Sequence, residues 1–471
     1  MTDKRFLLAV LGIALVGLGL RWYWILEVRP ADECGPPGAE AEPGCLAITG
    51  RPEAVNDPRY VHELANLIGD GKPFIDPFTY ASTGEERPSA QKMPLFPVYL
   101  GAVSFLGGQS VDSHRLAAAL LGAATVVVLG LVGRHLLGWR AGLIAAAIGA
   151  LYPNLWINDF LLQVESLAAL LVALTIYAAY RYHDRPTPGR VVLLGVLIAL
   201  TSLTRAEALL LYAFVALPLI LGAVRPWKDR VGHVARAGAS AIVLIGPWVG
   251  WNLTRFEATT TLSTGPGPVL STASCDATYY GDQMGYYASC FSIQDYAASE
   301  GLTVPEAESQ LRGFDESQRA AVAGEQAQDY IQDHLSRLPV VMTARVARMW
   351  DLYRPGQNVR FNWQLEARGE RTSQVALLSY YALVPFAIGG VVVLRRRGRP
   401  ISPLMGMAAM ITVTAAWTFG TTRYRIPADV ALVVAAAVGA EALLRRRWPI
   451  EEPDPDPERE PTEDEPVEAT A

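Results

Sequence analysis

At 471 residues, 51% hydrophobic and 18% charged, with a mean hydropathy of +0.21, the chain is too long and too apolar for one ordinary soluble domain; a polytopic membrane protein is expected. The formal net charge of −6 misleads, because the last 22 residues hold ten acids and one arginine and the rest of the chain is slightly basic. That stretch has little to bury and is broken by prolines, so a disordered acidic cytoplasmic tail is predicted over 449–471.

The first apolar run, 6–26, is long enough to cross a hydrocarbon core of ~30 Å. A cleaved signal peptide has a shorter apolar segment and a small-residue cleavage site, whereas RWYW stands here, so a retained span with an aromatic outer belt is expected. Residues 27–114 then form a first outer loop. Within it 94–108 is apolar but only about 22 Å long as a helix, and is placed as an interfacial or re-entrant segment. Nine further apolar runs, at 115–137, 141–155, 160–180, 191–203, 208–224, 234–249, 375–394, 401–419 and 426–444, bring the expected total to about ten transmembrane helices. With this count the basic clusters at Lys4/Arg5, Arg134/Arg140, 181–190, 225–236, 395–399 and 445–447 share one side, which makes both termini cytoplasmic. The expected fold class is an all-α polytopic membrane bundle with two extracytoplasmic loop domains. Its parts are a membrane module over 1–252 that includes the 27–114 loop, an outer cap over 253–374, C-terminal helices over 375–448, and the tail.

All four cysteines fall in the outer segments, Cys34 and Cys45 in the first and Cys275 and Cys290 in the second. An even count on the oxidising side predicts one local disulfide in each, with free thiols as the alternative.

The polar residues that interrupt or flank the apolar runs collect at the outer side: Asp57, Arg59, Tyr60, His62, Lys92, Asn158, Asp159, Glu165, Arg205, Glu207, Asn252, Arg423, Tyr424 and Arg425. Ionisable groups at such depth cost free energy that pairing or function must offset. Structural readings stand beside the functional one: Arg205 and Glu207 fit a turn between spans, Arg423 and Arg425 fit interface anchors, and His62 fits a polar loop. Glu165, about one turn inside a span, is harder to explain that way.

The order of motifs resembles the GT-C superfamily of membrane glycosyltransferases, nearest to its family 39 and protein O-mannosyltransferase-like branch, which includes the lipid A aminoarabinose transferases. The matching stretches are NDPRYVHELANLIGDGKPF after the first span, QKMPLFPVYLGAVSFLG, YPNLWINDFLLQVESL, LTRAEALL, PWVGWN and FGTTRYRIPADVAL. The resemblance implies a polyprenyl-phosphate-linked sugar donor taken from the membrane lipid. It also implies an acceptor hydroxyl on a glycan, lipid or protein, and chemistry at the extracytoplasmic face. Asp57 then stands at the position of the catalytic carboxylate, which removes the acceptor proton or orients the acceptor, with Glu165 as a second catalytic candidate. Lys92, Arg205, Arg423 and Arg425 are candidates for the donor phosphate, and Arg59, Tyr60, Asp159, Glu207 and Tyr424 for substrate contacts. Lys92 is one of only four lysines among 40 basic residues, and it is followed by Met93 and a single proline where the family pattern has two.

No Walker loop, dinucleotide fingerprint, HExxH or CxxC motif is present, and nothing points to a nucleic-acid partner. No cofactor is implied with certainty, although Asp57 and Glu165 leave room for a shared divalent metal. The rival reading is a transporter or flippase of envelope lipids or glycans, which would carry its polar or broken-helix sites near the bilayer midplane rather than at one face.

Overall fold

The computed structural model describes residues 1–28 and 57–448, so the Cys34–Cys45 pairing and the acidic tail lie outside the described residues. Among those residues the only β structure is one isolated bridge, between Ile75 and Pro88. Six helices are long and apolar enough to cross a membrane: Asp3–Val28, Val111–Leu137, Ala206–Ala223, Trp227–Arg255, Glu370–Arg396 and Thr422–Arg447. A seventh arises if Trp139–Leu151 and Pro153–Phe160, bent by 45° at their junction, count as one span. Pro188–Ser202 and Ser402–Trp417 are apolar but shorter. The protein is a multi-pass helical membrane protein.

The run at 141–155, expected as one crossing, is broken near its end. Tyr152 precedes a proline and is extended, with φ −71° and ψ 113°, so the helix stops at Leu151 and a new one starts at Pro153 with a different axis. This diverts Asn154, Asn158 and Asp159 into the interior, where all three are buried. The segment placed as interfacial forms the helix Leu95–Phe105, about 16 Å long and too short to span a bilayer core. It packs on Asp57–Gly69 through Phe96 and Leu100 against Val61 and Ala65.

The C-terminal helix Ile426–Arg447 is buried along most of its length and lies directly on Glu370–Arg396. Their backbones touch: a Cβ on Gly390 would come within 1.8 Å of the Ala435 carbonyl oxygen, and one on Gly439 within 2.0 Å of that of Phe386. Small residues permit this close approach where lipid offers no hydrophobic drive for association.

The two ends of the bundle differ. At one, Arg134 pairs with Asp3 and Arg399 with Asp184, while Arg445 donates to the Leu137 carbonyl at 2.7 Å and Arg140 to that of Trp448 at 2.9 Å. The other end carries seven helices, from Pro266–Ser271 to Pro355–Gln364, the longest being Glu316–Asp333, and a disulfide joins Cys275 to Cys290 within this layer. Arg345 fastens this layer to the bundle, and Arg348 ties the layer's own segments to one another. Both are fully buried; Arg345 donates to the carbonyls of Ala273 at 2.7 Å and Ala416 at 3.2 Å, and Arg348 to that of Asp282 at 3.2 Å and to Asn358 Oδ1 at 3.0 Å. A buried guanidinium needs such acceptors, so these contacts also fix where the layer sits.

An epitope tag inserted after Gly301 should be reached by antibody on intact cells, and one inserted after Pro186 only after permeabilisation. The reverse pattern would invert the assigned orientation.

Candidate functional site

Asp57 opens the helix Asp57–Gly69, where the helix dipole favours a carboxylate. The helix is amphipathic: Tyr60, Val61, Leu64 and Ala65 are buried, which fixes its rotation and aims Asp57 at the bundle. Lys92 lies in the turn before Leu95–Phe105, and that turn is tied to the LTRAEALL stretch by the Leu95 N–H, which donates to the Leu203 carbonyl at 3.0 Å. Glu165 likewise begins a helix, Glu165–Asp184, after a turn in which Leu162 takes a left-handed φ of 48°. Arg423 comes from the short helical turn Thr422–Arg425 that leads into the last span.

These side chains meet. Arg423 donates one nitrogen to each of three carboxylates: Nε to Glu165 at 3.0 Å, Nη1 to Glu366 at 3.2 Å and Nη2 to Asp57 at 3.2 Å. Lys92 holds the other oxygen of Asp57 at 2.7 Å. Arg205 bridges Glu165 at 2.7 Å and Glu207 at 2.6 Å, and lies over the Tyr424 ring at 4.6 Å. Burial acts to raise the Asp57 carboxyl, but Lys92 and Arg423 outweigh it and hold the group well below the usual carboxylate range.

The network opens onto a cavity of about 1720 Å³ between bundle and cap, lined by Asp57, Lys92, Arg205, Glu207, Arg423 and Tyr424 together with Tyr60, Glu366 and Tyr287. Phe160, Leu161, Val164 and Trp417 give the bundle side an apolar patch, while the cap side sets Ser263, Thr264, Glu316 and Arg319 beside the apolar Pro266, Val269 and Leu270.

Other residues singled out from the sequence lie elsewhere. Arg425 turns into the bundle, pairing with Asp351 at 2.8 Å and Asp429 at 3.1 Å beneath the Tyr380 ring, and does not line the cavity. Asp159 accepts from Arg21 at 3.0 Å and Ser166 at 2.6 Å, bracing the broken helix against the first span. Arg59 is exposed beside Glu63. His62 pairs with His114 at 3.0 Å, away from the cavity. Asn252 is buried and donates to the Thr261 carbonyl at 2.7 Å, while Arg255, one turn on, joins that helix end to Phe74 and Ser89. Asp57 and Glu165 share Arg423 and not a vacant ligand site, and among the described residues no group of three or more His, Cys, Asp or Glu side chains has metal-holding geometry.

Glu366, Arg368 and Tyr287 escaped the sequence reading. Glu366 accepts from Tyr287 at 3.1 Å as well as from Arg423, and Arg368 donates to Asn158 at 3.3 Å. Between them Ala367 has a left-handed φ of 51°, a strained conformation of the kind that gathers at functional sites. The cap contributes Glu316, which accepts from the Ala90 N–H at 3.1 Å and from the hydroxyls of Ser89 and Thr264.

Residues 89–251 match the family described as dolichyl-phosphate-mannose-protein mannosyltransferase. Across nearly the whole chain the helices superpose on the oligosaccharyltransferase AglB from Archaeoglobus fulgidus, solved with an inhibitory peptide and a dolichol-phosphate: TM-score 0.50, 15% identity, 93% of this chain and 50% of AglB covered. The chain has the GT-C fold. It spans about half the length of AglB. ArnT from Cupriavidus metallidurans, solved with undecaprenyl phosphate, is a more distant GT-C likeness, with TM-score 0.40, 13% identity, and 94% of this chain and 79% of ArnT covered. No curated protein matches the sequence.

Arg423→Ala should take from three carboxylates the cation they share and lower the thermal midpoint in detergent, a loss on the order of 3 kcal/mol, with Arg423→Lys restoring part of it. Because the folded Asp57 carboxyl lies below its ordinary value of about 3.9, its contribution to stability is complete above that pH and is lost as the pH falls towards the folded value. Asp57→Asn should therefore remove part of the acid-induced decline, as read from midpoints measured against pH.

Proposed function

We propose that the protein is a membrane glycosyltransferase that transfers a sugar from a polyprenyl-phosphate donor to an acceptor hydroxyl at the extracytoplasmic face. The observation that carries this reading is the meeting, at one large cavity, of a carboxylate suited to the acceptor with two cations suited to a phosphate: Asp57 with Lys92 at 2.7 Å and Arg423 at 3.2 Å. A departing phosphate needs cations more than a general acid, and Lys92, Arg205 and Arg423 supply charge-assisted hydrogen bonds to it. Asp57 takes the acceptor proton during attack. Glu165 holds Arg205 and Arg423 in place from below and is a positioning residue in this scheme.

The cavity walls suit the two substrates. The apolar patch at Phe160, Leu161 and Trp417 suits the prenyl chain, and the polar groups Ser263, Thr264, Glu316 and Arg319 under the cap suit a hydroxyl-bearing acceptor on a glycan, lipid or protein. Tyr60, Glu207 and Tyr424 line the cavity, which supports a substrate-contact role for them. Arg59, Asp159 and Arg425 have structural roles instead. The family description supports a dolichyl-type hexosyl phosphate as donor, and the dolichol-phosphate in the AglB complex supports a lipid phosphate in this fold. The gathering of basic residues at the far end supports a cytoplasmic assignment for that end and an outer one for the site.

Purified protein given labelled polyprenyl-phosphate sugars with envelope extracts as acceptor should release polyprenyl phosphate as label enters acceptor. Asp57→Asn should lower this turnover by ~10² or more. Lys92→Ala and Arg205→Ala should weaken donor affinity as well as turnover. An Asp57→Asn protein that is folded, donor-saturated and fully active would remove the assigned chemistry.

A further inference from the structure

The donor reading gives Lys92 and Arg423 to the phosphate and Asp57 to the acceptor proton, yet the ion pairs set these roles against each other. Both oxygens of Asp57 are taken, Oδ1 by Lys92 at 2.7 Å and Oδ2 by Arg423 at 3.2 Å. A carboxylate capped on both oxygens by permanent cations is poorly placed to receive a proton. The three carboxylates on Arg423 are not equally held. Glu165 is fully enclosed and also bound by Arg205, and Glu366 is 6% exposed and also bound by Tyr287. Asp57 leaves 39% of its side chain open to the cavity, so it is the partner that an entering anion meets.

We propose that Lys92 and Arg423 are shared between Asp57 and the donor phosphate, so that the phosphate displaces Asp57 from its cations and the base becomes competent only in a donor-loaded site. This rests on the polyprenyl-phosphate reading above. The donor is a phosphodiester with one negative charge. As the bond from the anomeric carbon to the phosphate oxygen breaks, its electron pair stays on that oxygen and a second negative charge develops there. The growing charge draws Lys92 and Arg423 further from Asp57. Meanwhile the acceptor oxygen forms the new bond to the anomeric carbon and its proton passes to an Asp57 oxygen. Departure of the leaving group and strengthening of the base are then one event, carried by two shared cations. The cations that hold the carboxyl low while paired with it return its basicity when they are withdrawn.

The test is a binding measurement on Asp57→Asn, which keeps the shape and removes the competing charge. A polyprenyl monophosphate in detergent should bind this variant roughly tenfold more tightly than it binds the wild type. The same lipid should raise the variant's thermal midpoint by more, while transfer is lost. A residue with a purely structural role would give weaker or equal binding. Equal or weaker binding to folded Asp57→Asn, with normal binding to the wild type, overturns the sharing and leaves the glycosyltransferase reading in place. Absence of binding to the wild type overturns both. Asp57→Ser, smaller and also uncharged, carries the same comparison if the Asn variant does not fold.

Discussion

The arrangement depends on one guanidinium. Arg423 gives a separate nitrogen to Asp57 of the first loop, Glu165 at the head of the helix Glu165–Asp184 and Glu366 of the helix-free stretch between the cap's last short helix and Glu370–Arg396. No lysine could replace it in this geometry, because a point charge has no fixed fork to hold three anions at three angles. Lys92 and Arg205 bring further positive charge to Asp57, Glu165 and Glu207, so the network is stable as a whole and each member is costly to remove alone. The outer loop, a bundle helix and the cap's return segment are thereby held in register at the place where the cavity opens.

Around this centre the fold supplies rigidity by different means at each level. In the bundle, glycines let the last two long helices touch backbone to backbone. At the cap, Arg345 and Arg348 replace apolar packing with directed hydrogen bonds to carbonyl oxygens. Between the two, the break at Pro153 carries Asp159 to Arg21 and Asn158 to Arg368, so the second layer around Glu165 and Glu366 is itself anchored to the first span.

Much of this was legible in the sequence, for a physical reason. A charged residue in an apolar run is an anomaly with a cost, and that is why Glu165, Arg205, Glu207 and Arg423 stood out and why they meet. Lys92 and Asp57 stood out by their place in motifs that resemble a known family. The reading failed where the anomaly vanishes or where geometry divides neighbours. Glu366, Arg368 and Tyr287 sit in polar stretches in which a charge or hydroxyl is unremarkable. Arg423 and Arg425 are two residues apart in a helical turn, so they point to different sides, one to the cavity and the other to Asp351 and Asp429. Asp159 reads from the sequence as an outer-face residue, but the helix that starts at Pro153 turns it inward. The number of crossings blurred for a related reason: Pro188–Ser202 and Ser402–Trp417 are apolar but fall short of a full span, so hydropathy alone counts them generously.

The left-handed residues at 162 and 367 tie conformational stability to the upkeep of the charge network. Glycine would adopt either backbone conformation without steric strain. At Leu162, however, the side chain is buried with Phe96 and Leu171, so relieving the backbone would open a hole beneath Glu165. At Ala367 only a methyl group would be given up, but the chain between Glu366 and Arg368 would gain freedom just where two opposite charges must be presented to different partners. Relief of backbone strain and firm presentation of the two charges thus pull in opposite directions at position 367.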